Sequence, residues 1–303
     1  MNEKNIINLY YKIKRIRLIE EEIAKQYPLQ KMRCPTHLSI GQEAVAVGCS
    51  EVVSEKDYAV SGHRAHAHYL AKGGCLNSMI AELHGKSKGC SKGFGGSMHL
   101  IDENVGFMGS TAIVAGTIPI AVGLAYGIKI KKNNQLVLAY MGEAVTETGV
   151  FFESLNFSAV KQLPIIYVCE NNLYSVYTSL KDRQPKNRDN KKLINGLGVK
   201  YFSMDGNDVI NVYELMQKVV SFVRNGEKPA LVEFFTYRHR EHCGPFFDDN
   251  LNYRATREVN SWLKKDPIAI MEKRLNRRKI SQSEITKIET KIEKEIEIAF
   301  KGH

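Results

Sequence analysis

Two short apolar runs, Leu136–Met141 and Ile165–Cys169, form the clearest pattern in the chain. Between them apolar residues recur at every fourth position from Phe151 to Ala159, which predicts an amphipathic helix. Pro164 would end that helix just before the second run. We therefore expect a strand–helix–strand unit, whose two strands are parallel and end at the same edge of one sheet.

Similar patterns predict the other elements of the chain. Further strands are expected at the apolar runs Tyr58–Val60, Val199–Phe202 and Ala230–Phe235. Helices are expected over Asn5–Gln26 and Val209–Arg224, and again in the region that follows Asp266-Pro267. The segment from Leu180 to Asn190 is polar and predicts a long loop. This alternation is typical of a doubly wound, mostly parallel α/β sheet. We expect one main domain over residues 1–260, beginning with a helix, and a helical C-terminal extension over residues 261–303.

The last predicted helix carries a narrow apolar stripe among alternating charges, formed by Ile285, Ile288, Ile292 and Ile296. A capping box beginning at Ser281 marks its start. The stripe indicates a helix that docks on the protein surface, with coiled-coil association as the alternative.

Composition and charge narrow the function classes. The chain has 303 residues, 43% of them hydrophobic, which is enough for a large α/β core. The formal net charge is +10, but the basic residues are spread out and no zinc-finger or RNA-binding signature accompanies them, so we expect no nucleic-acid function. The six cysteines form no CxxC pair, which favours reduced thiols in a cytoplasmic protein. The apolar runs are too short for membrane spans or a signal region, so no membrane association is expected.

Two polar residues follow the predicted parallel strands. Glu143 comes directly after Gly142, and Asn172 follows about thirty residues later, so both should face one crevice at the carboxyl edge of the sheet. A carboxylate and an amide oxygen suit Mg²⁺, which takes its remaining ligands from water and phosphate groups. Gly142 would let the backbone approach a bulky anion. The unit therefore predicts a magnesium-bound diphosphate. The alternative is that Glu143 is an ordinary loop acid and Asn172 part of an ordinary turn.

The same residues resemble a known motif. Gly142-Glu143, about thirty residues, and then Asn171-Asn172 is similar to the thiamine diphosphate motif, which usually begins Gly-Asp-Gly. With its flanks, ETGVFFESLNFSAVKQLPIIYVCENNLYSVYT, the unit resembles the alpha subunit of 2-oxo-acid dehydrogenases of the pyruvate, branched-chain and acetoin types. Branched-chain members also carry glutamate where this chain has Glu143, whereas Ala144 replaces the second glycine. The resemblance extends roughly from Lys12 to the C-terminus.

Other segments carry the resemblance further. His37 stands in HLSIGQEA, where the family's histidine reaches the 2-oxo acid. Arg64 matches an arginine that grips the diphosphate with its forked guanidinium, and His63 stands where pyruvate-type members have tyrosine. The equivalent of Val114 touches the aminopyrimidine ring through backbone groups, and Ala112 replaces a glycine. From the residues alone, His37 could be a structural histidine and Val114 a core residue.

The segment after Ala230–Phe235 holds the last candidate. His242 and Arg238 match a family segment that reads Tyr-Arg-x-x-Gly-His-Ser. The resemblance implies that His242 lies beside the diphosphate and the reactive end, as a hydrogen-bond donor or proton-transfer group. Glu241 replaces the glycine of that segment, and Cys243 replaces a serine that is phosphorylated in some eukaryotic members.

The resemblance implies the alpha subunit of a thiamine diphosphate-dependent 2-oxo-acid dehydrogenase. The cofactor would supply the chemistry that decarboxylates the 2-oxo acid, and the acyl group would pass to a lipoyl group on an acyltransferase partner. Magnesium would be held by Glu143, Asn172 and the carbonyl of Tyr174, and the catalytic residues would be His242 and His37. The cofactor-binding residues implied in this way are His63, Arg64, Ala112, Val114, Gly142, Glu143, Ala144, Asn172, Tyr174 and His242.

The family places its cofactor between two kinds of chain. A glutamate from a beta subunit completes the site, so the expected assembly has two alpha and two beta chains. Two other functions stay open: the cofactor-binding half of a split transketolase, and a non-catalytic scaffold that has lost its cofactor. The second is suggested by the replacements Ala112, Glu143, Ala144 and Glu241. A zinc site formed by His63, His66 and His68 is a further alternative, although no acid or thiol lies near them in sequence.

Overall fold

A computed structural model describes residues 1–32, 34–226 and 228–302 of the chain. The helices are α1 (Glu3–Gln26), α2 (Glu43–Ser50), α3 (His66–Lys72), α4 (Leu76–Leu83), α5 (Thr117–Ile130), α6 (Gly149–Val160), α7 (Leu180–Arg183), α8 (Asn190–Gly196), α9 (Val209–Arg224), α10 (Thr256–Leu263), α11 (Pro267–Arg277) and α12 (Gln282–Phe300). The strands are β1 (Tyr58–Ser61), β2 (Phe107–Ser110), β3 (Val137–Gly142), β4 (Ile165–Asn171), β5 (Tyr174–Ser175), β6 (Thr178–Ser179), β7 (Lys200–Asp205) and β8 (Ala230–Phe235). Short 3₁₀ helices lie at Tyr27–Leu29, Gly96–Met98, Glu103–Val105, Glu143–Glu147 and Asp249–Leu251.

One parallel sheet forms the centre of the molecule. Its strands lie in the order β2-β1-β3-β4-β8-β7, and every neighbouring pair is parallel. Strands β5 and β6 form a separate antiparallel hairpin. Helices cover both faces of the sheet, so the predicted doubly wound α/β fold is confirmed.

The predicted strand–helix–strand unit corresponds to β3, α6 and β4. Alternate residues of β3 point to opposite faces of the sheet, as the period of a strand requires. Leu138 and Tyr140 join the apolar cluster that includes α1, α2 and α9, whereas Ala139 and Met141 join the cluster beneath α5 and α6. Both faces of this strand are therefore buried, which explains its uninterrupted apolar run.

The terminal helices pack together on one flank. Helix α1 buries the apolar side predicted from the sequence, and α12 lies against it with Ile292 completely buried. Arg15 of α1 holds Glu295 of α12 through its forked guanidinium, with one contact of 2.7 Å. The apolar stripe of α12 is thus covered within the chain, as expected for a helix that docks on the surface.

The segment from Leu180 to Asn190 is more ordered than predicted. It contains the short helix α7, and α8 begins at its last residue. The Ser179 hydroxyl donates to Asp182 at 2.8 Å, and Arg183 reaches back to two glutamates near the end of β3. The prediction of a plain loop was therefore only partly correct, because the polar residues of this segment form local ion pairs and hydrogen bonds.

The strand order places a crevice between β1 and β3. The chain leaves β1 toward the β2 side of the sheet and leaves β3 toward the β4 side, so neighbouring connections diverge at this point. Parallel α/β sheets bind ligands at the carboxyl edge where connections diverge in this way. Within the described residues, no helix combines the length and apolar character needed to cross a membrane.

Candidate active site

A cavity opens at the crevice between the ends of β1 and β3. Residues from the ends of β1, β3 and β4, from the start of α5 and from the loop after β8 line it. The lining residues predicted from the sequence are His63, Arg64, Val114, Gly142, Glu143, Ala144, Asn172, Tyr174 and His242. Two predicted residues lie just outside this lining. The ring of His37 touches His63 and His242 from behind, and the amide of Ala112 lies 3.4 Å from Nε2 of His99.

Glu143 forms the acidic end of the cavity. It begins the 3₁₀ helix that follows β3, and only 3% of it is exposed. Burial raises the pKa of Glu143 to about 7, although the Arg183 guanidinium, 2.6 Å from its Oε1, acts in the opposite direction. A Cβ atom at Gly142 would meet nothing within 4 Å, so there is open space beside the backbone of Gly142. The carboxylate of Glu143 lines the cavity and already pairs with one cationic side chain.

Asn172 faces the same space from the end of β4. Its Oδ1 accepts from the backbone N–H of Tyr174 at 3.2 Å, and its Nδ2 donates to Gln42 at 3.1 Å. The Tyr174 hydroxyl donates to Glu258 at 2.8 Å, which fixes the orientation of its ring. The side chains of Glu143 and Asn172 thus bring a carboxylate and an amide oxygen to this end of the cavity, and oxygen atoms of this kind fit Mg²⁺.

Arg64 supplies a buried positive charge at the end of β1. Its guanidinium donates to the carbonyl oxygens of Leu38 and His242, the second at 3.0 Å. Burial and the nearby Arg238 lower the pKa of Arg64 to about 9, which leaves it charged at neutral pH. The contact with His242 also ties the loop after β8 to the end of β1.

Three histidines, His37, His63 and His242, form a cluster beside Arg64. Their ring centroids are 4.6 to 5.4 Å apart, with edge-to-face orientations. Burial, followed by repulsion from Arg64, lowers the pKa of His37 to about 2, of His63 to about 4 and of His242 to about 3. All three imidazoles are therefore neutral at physiological pH. The buried Nδ1 of His37 has no hydrogen-bond partner in the described part of the chain.

The histidine cluster fits an anion better than a metal ion. Its ligand nitrogens all lie within 4.8 Å of one another, which is close enough to suggest a cation site. However, Arg64 repels cations, whereas its guanidinium and the neutral ring N–H groups are donors suited to phosphate oxygens. The zinc site considered for His63, His66 and His68 is not formed among the described residues, because both ring nitrogens of His66 are already engaged, Nδ1 with Glu20 at 2.7 Å and Nε2 with the Ser97 hydroxyl at 2.8 Å.

A buried aspartate fixes the loop that carries His242. Asp248 pairs with Arg254 and lies 3.5 Å from Arg238, and both arginine side chains are only 2% exposed. Glu241, which replaces a glycine of the family segment, accepts from the backbone N–H of Phe246 at 2.9 Å. The replacement is therefore accommodated inside the loop and leaves His242 at the cavity.

Sequence reasoning missed several polar residues of this region. Gln42, Ser61, His68 and Glu170 also line the cavity and are joined by hydrogen bonds. Gln42 lies inside the HLSIGQEA segment, and Glu170 directly precedes Asn171-Asn172. Their closeness in sequence to these two segments could have identified both residues as candidates. Val114 is 52% exposed at the cavity mouth, so the alternative of a core residue was wrong.

Comparison with known proteins places this geometry in one family. The family model of the dehydrogenase E1 component matches residues 11–302. The pyruvate dehydrogenase E1 component subunit alpha of Rickettsia felis is 33% identical over 287 residues, covering 94% of this chain and 87% of the relative. The corresponding subunit of Porphyra purpurea is 32% identical over 305 residues, covering 98% and 88%. A testis-specific, mitochondrial form from Rattus norvegicus is 32% identical over 301 residues, covering 99% and 75%. These matches favour neither a split transketolase nor a scaffold.

Proposed function

The chain belongs to the dehydrogenase E1 component family, and we propose that its cavity binds thiamine diphosphate with Mg²⁺ to decarboxylate a 2-oxo acid. It is the alpha subunit of a thiamine diphosphate-dependent 2-oxo-acid dehydrogenase, which confirms the function expected from the sequence. The convergence of Glu143, Asn172, Arg64 and His242 on one cavity carries the proposal. Because the relatives are named for pyruvate, pyruvate is the first substrate to test.

The acidic end of the cavity would hold the metal. Glu143 and Asn172 offer side-chain oxygens from the ends of neighbouring strands, and the carbonyl of Tyr174 would be the third protein ligand. Arg183 pairs with Glu143 in the structure, so the metal would take over the role of neutralising that carboxylate. Thiamine diphosphate, when bound, supplies the carbon nucleophile and the electron sink for decarboxylation.

The basic end would hold the diphosphate and the substrate. Arg64 is oriented by two backbone carbonyls and keeps its charge, so it can face phosphate oxygens without rearrangement. The neutral rings of His63 and His242 can donate to an anion or accept a proton from a reacting group. His37 lies behind both rings, and its Nδ1 has no partner in the described residues.

In the described part of the chain, the cavity offers no free carboxylate for the other end of the cofactor. Within the described residues its acids are Glu143, paired with Arg183, and Glu170, bound to His68 and Gln42. Neither is available to the aminopyrimidine ring, so this ring needs a carboxylate from another chain. This supports a beta subunit that contributes a glutamate, as the family resemblance implies.

An exposed apolar face beside the cavity offers a surface for that subunit. It runs over the segment before α5, along α5 and onto α6. Its exposed members are Ile113, Val114, Ile120, Tyr126, Ile130, Phe157 and Val160. Apolar surface of this extent is typical of protein–protein contacts. We propose an assembly of two alpha and two beta chains that passes the acyl group to a lipoyl acyltransferase.

Reconstitution with the partner chain tests this function. The purified chain should be assayed with thiamine diphosphate, Mg²⁺, an artificial electron acceptor and a panel of 2-oxo acids, with and without the candidate beta chain. We expect decarboxylation only when both chains are present. Full activity from this chain alone would contradict the shared site, and activity on ketose phosphates instead of 2-oxo acids would contradict the reaction.

A further inference from the structure

A buried series of hydrogen bonds runs from the end of β1 to the amide of Asn172. The hydroxyl of Ser61 lies 2.8 Å from Nδ1 of His68, and Nε2 of His68 lies 3.1 Å from Oε1 of Glu170. Nε2 of Gln42 donates to the other oxygen of Glu170 at 3.0 Å, and Oε1 of Gln42 accepts from Nδ2 of Asn172 at 3.1 Å. Five side chains thus form one connected path that ends at a predicted metal ligand.

The carboxylate of Glu170 fixes the direction of the hydrogen bonds that lead to Asn172. Nε2 of Gln42 donates to Oε2 of Glu170, and an amide nitrogen can only donate, so the amide oxygen of Gln42 lies on the other side. The amide oxygen of Gln42 then faces Asn172, which must present its own nitrogen in return. Oδ1 of Asn172 is left on the other side, where it accepts from the N–H of Tyr174. The orientation of the Asn172 amide is therefore set from both sides, by Gln42 on its nitrogen and by the backbone N–H of Tyr174 on its oxygen.

The path is held rigidly by its surroundings. Gln42 is 2% exposed, and its backbone N–H donates to the carbonyl of Ser39 at 2.9 Å. The ring of His68 is 3% exposed and stacks on Tyr140, with the ring centroids 3.9 Å apart. Because these groups have little freedom to move, they can hold the amide of Asn172 in one orientation.

We infer that Gln42 is a positioning residue, which makes Asn172 present its oxygen instead of its nitrogen to the metal. The inference rests on the proposed function, since it requires Mg²⁺ beside Asn172. Only the oxygen of an amide can ligate Mg²⁺, and the NH₂ group would occupy a ligand position without binding. Loss of a residue that orients a metal ligand typically weakens metal binding by roughly 10- to 100-fold.

Metal titration of paired variants tests this role. Mg²⁺ affinity should be measured by calorimetry on the chain assembled with its beta subunit, in the presence of thiamine diphosphate. We expect Gln42→Met to weaken Mg²⁺ binding by roughly 10- to 100-fold. If that variant does not fold, Gln42→Ala removes the same amide without adding volume. Tyr167→Phe is the matched control, because it removes buried hydrogen bonds from β4 that do not lead to Asn172.

A second background separates orientation from general damage. Asn172→Asp presents an oxygen to the metal in either orientation, although its carboxylate, unlike the amide of Asn172, cannot donate to Oε1 of Gln42. In that background Gln42 no longer has an amide to orient, so we expect Gln42→Met to weaken Mg²⁺ binding by less than about twofold, and the effects of the two substitutions should be strongly non-additive. The inference would be overturned, without affecting the proposed function, if Gln42→Met weakened Mg²⁺ binding equally in both backgrounds. It would also be overturned if Gln42→Met left Mg²⁺ binding unchanged in the parent with Asn172. Absence of Mg²⁺-dependent cofactor binding in the unmodified complex would overturn the proposed metal site as well.

Discussion

Replacing His63 with phenylalanine should make the cofactor-free chain less sensitive to acid. The ring of His63 is kept neutral in the folded chain, where burial and Arg64 lower its pKa from 6.5 to about 4. The unfolded chain has no such constraint and takes up a proton as the pH falls below 6.5. The folded state therefore has its full stability above pH 6.5 and loses it progressively as the pH falls toward 4.

The size of this effect follows from the two pKa values of His63. At about pH 5.5 the unfolded side chain is about 90% protonated, whereas the folded one is about 97% neutral. Between about pH 7.5 and about pH 5.5, His63 alone should lower the free energy of unfolding by about 1.3 kcal/mol. His37 and His242 have lowered pKa values too, so they should add losses of the same sign in the parent chain.

Urea unfolding at the two pH values measures the difference. The single tryptophan, Trp262, stacks on Tyr237 and provides the fluorescence signal. The loss of stability between the two pH values should be smaller in His63→Phe than in the parent, by about 1.3 kcal/mol. His99→Phe, which removes an exposed histidine outside the cluster, is the control. If His63→Phe and the parent lose the same stability, the reasoning about the neutral cluster is wrong.

Three further predictions concern the cavity. Glu143→Ala should abolish Mg²⁺-dependent cofactor binding, whereas Glu143→Asp should keep part of it. Equal cofactor affinity in Glu143→Ala and the parent would show that Glu143 is not a metal ligand. His242→Ala should lower turnover by roughly 100-fold or more if the ring transfers a proton, and unchanged turnover with the correct substrate would make it structural. Asp248→Asn should destabilise the chain by about 3 kcal/mol, because Arg238 and Arg254 would be left buried without their carboxylate. Urea unfolding and amide exchange in the loop after β8 should both detect this last change, and a normal unfolding midpoint would contradict it.

The central fold could be predicted because local patterns determine it. The apolar runs Leu136–Met141 and Ile165–Cys169 correspond to β3 and β4, whose two faces are both buried, and Pro164 separates α6 from β4. The positions of Glu143 and Asn172 at the ends of these strands followed directly. In contrast, α7 was missed because three of its four residues are charged, and Arg183 forms ion pairs with two glutamates that are distant in sequence, Glu143 and Glu147.

The histidine cluster could not be predicted from the residues alone. His37, His63 and His242 come from three segments far apart in sequence, and no period or spacing indicates that their rings meet. The hydrogen bonds of Gln42 and Glu170 depend on side-chain directions at the ends of elements, which apolar patterns do not specify. Tertiary packing decides whether these polar groups are buried. The sequence therefore indicated their positions relative to the predicted strands and helices, but not which side chains they contact.

The strand order also governs how the chain must fold. β3 pairs with β4, to which a single helix connects it, so this unit needs only a short loop to close. β1 pairs with β3 across the intervening β2 and α5, which requires closure of a loop of about 75 residues. Non-local pairings of this kind form slowly, so the crevice between β1 and β3 should be the later part to assemble. A ligand added during refolding would then bind only after this step, raising the final yield of native chain without accelerating the formation of the β3–α6–β4 unit.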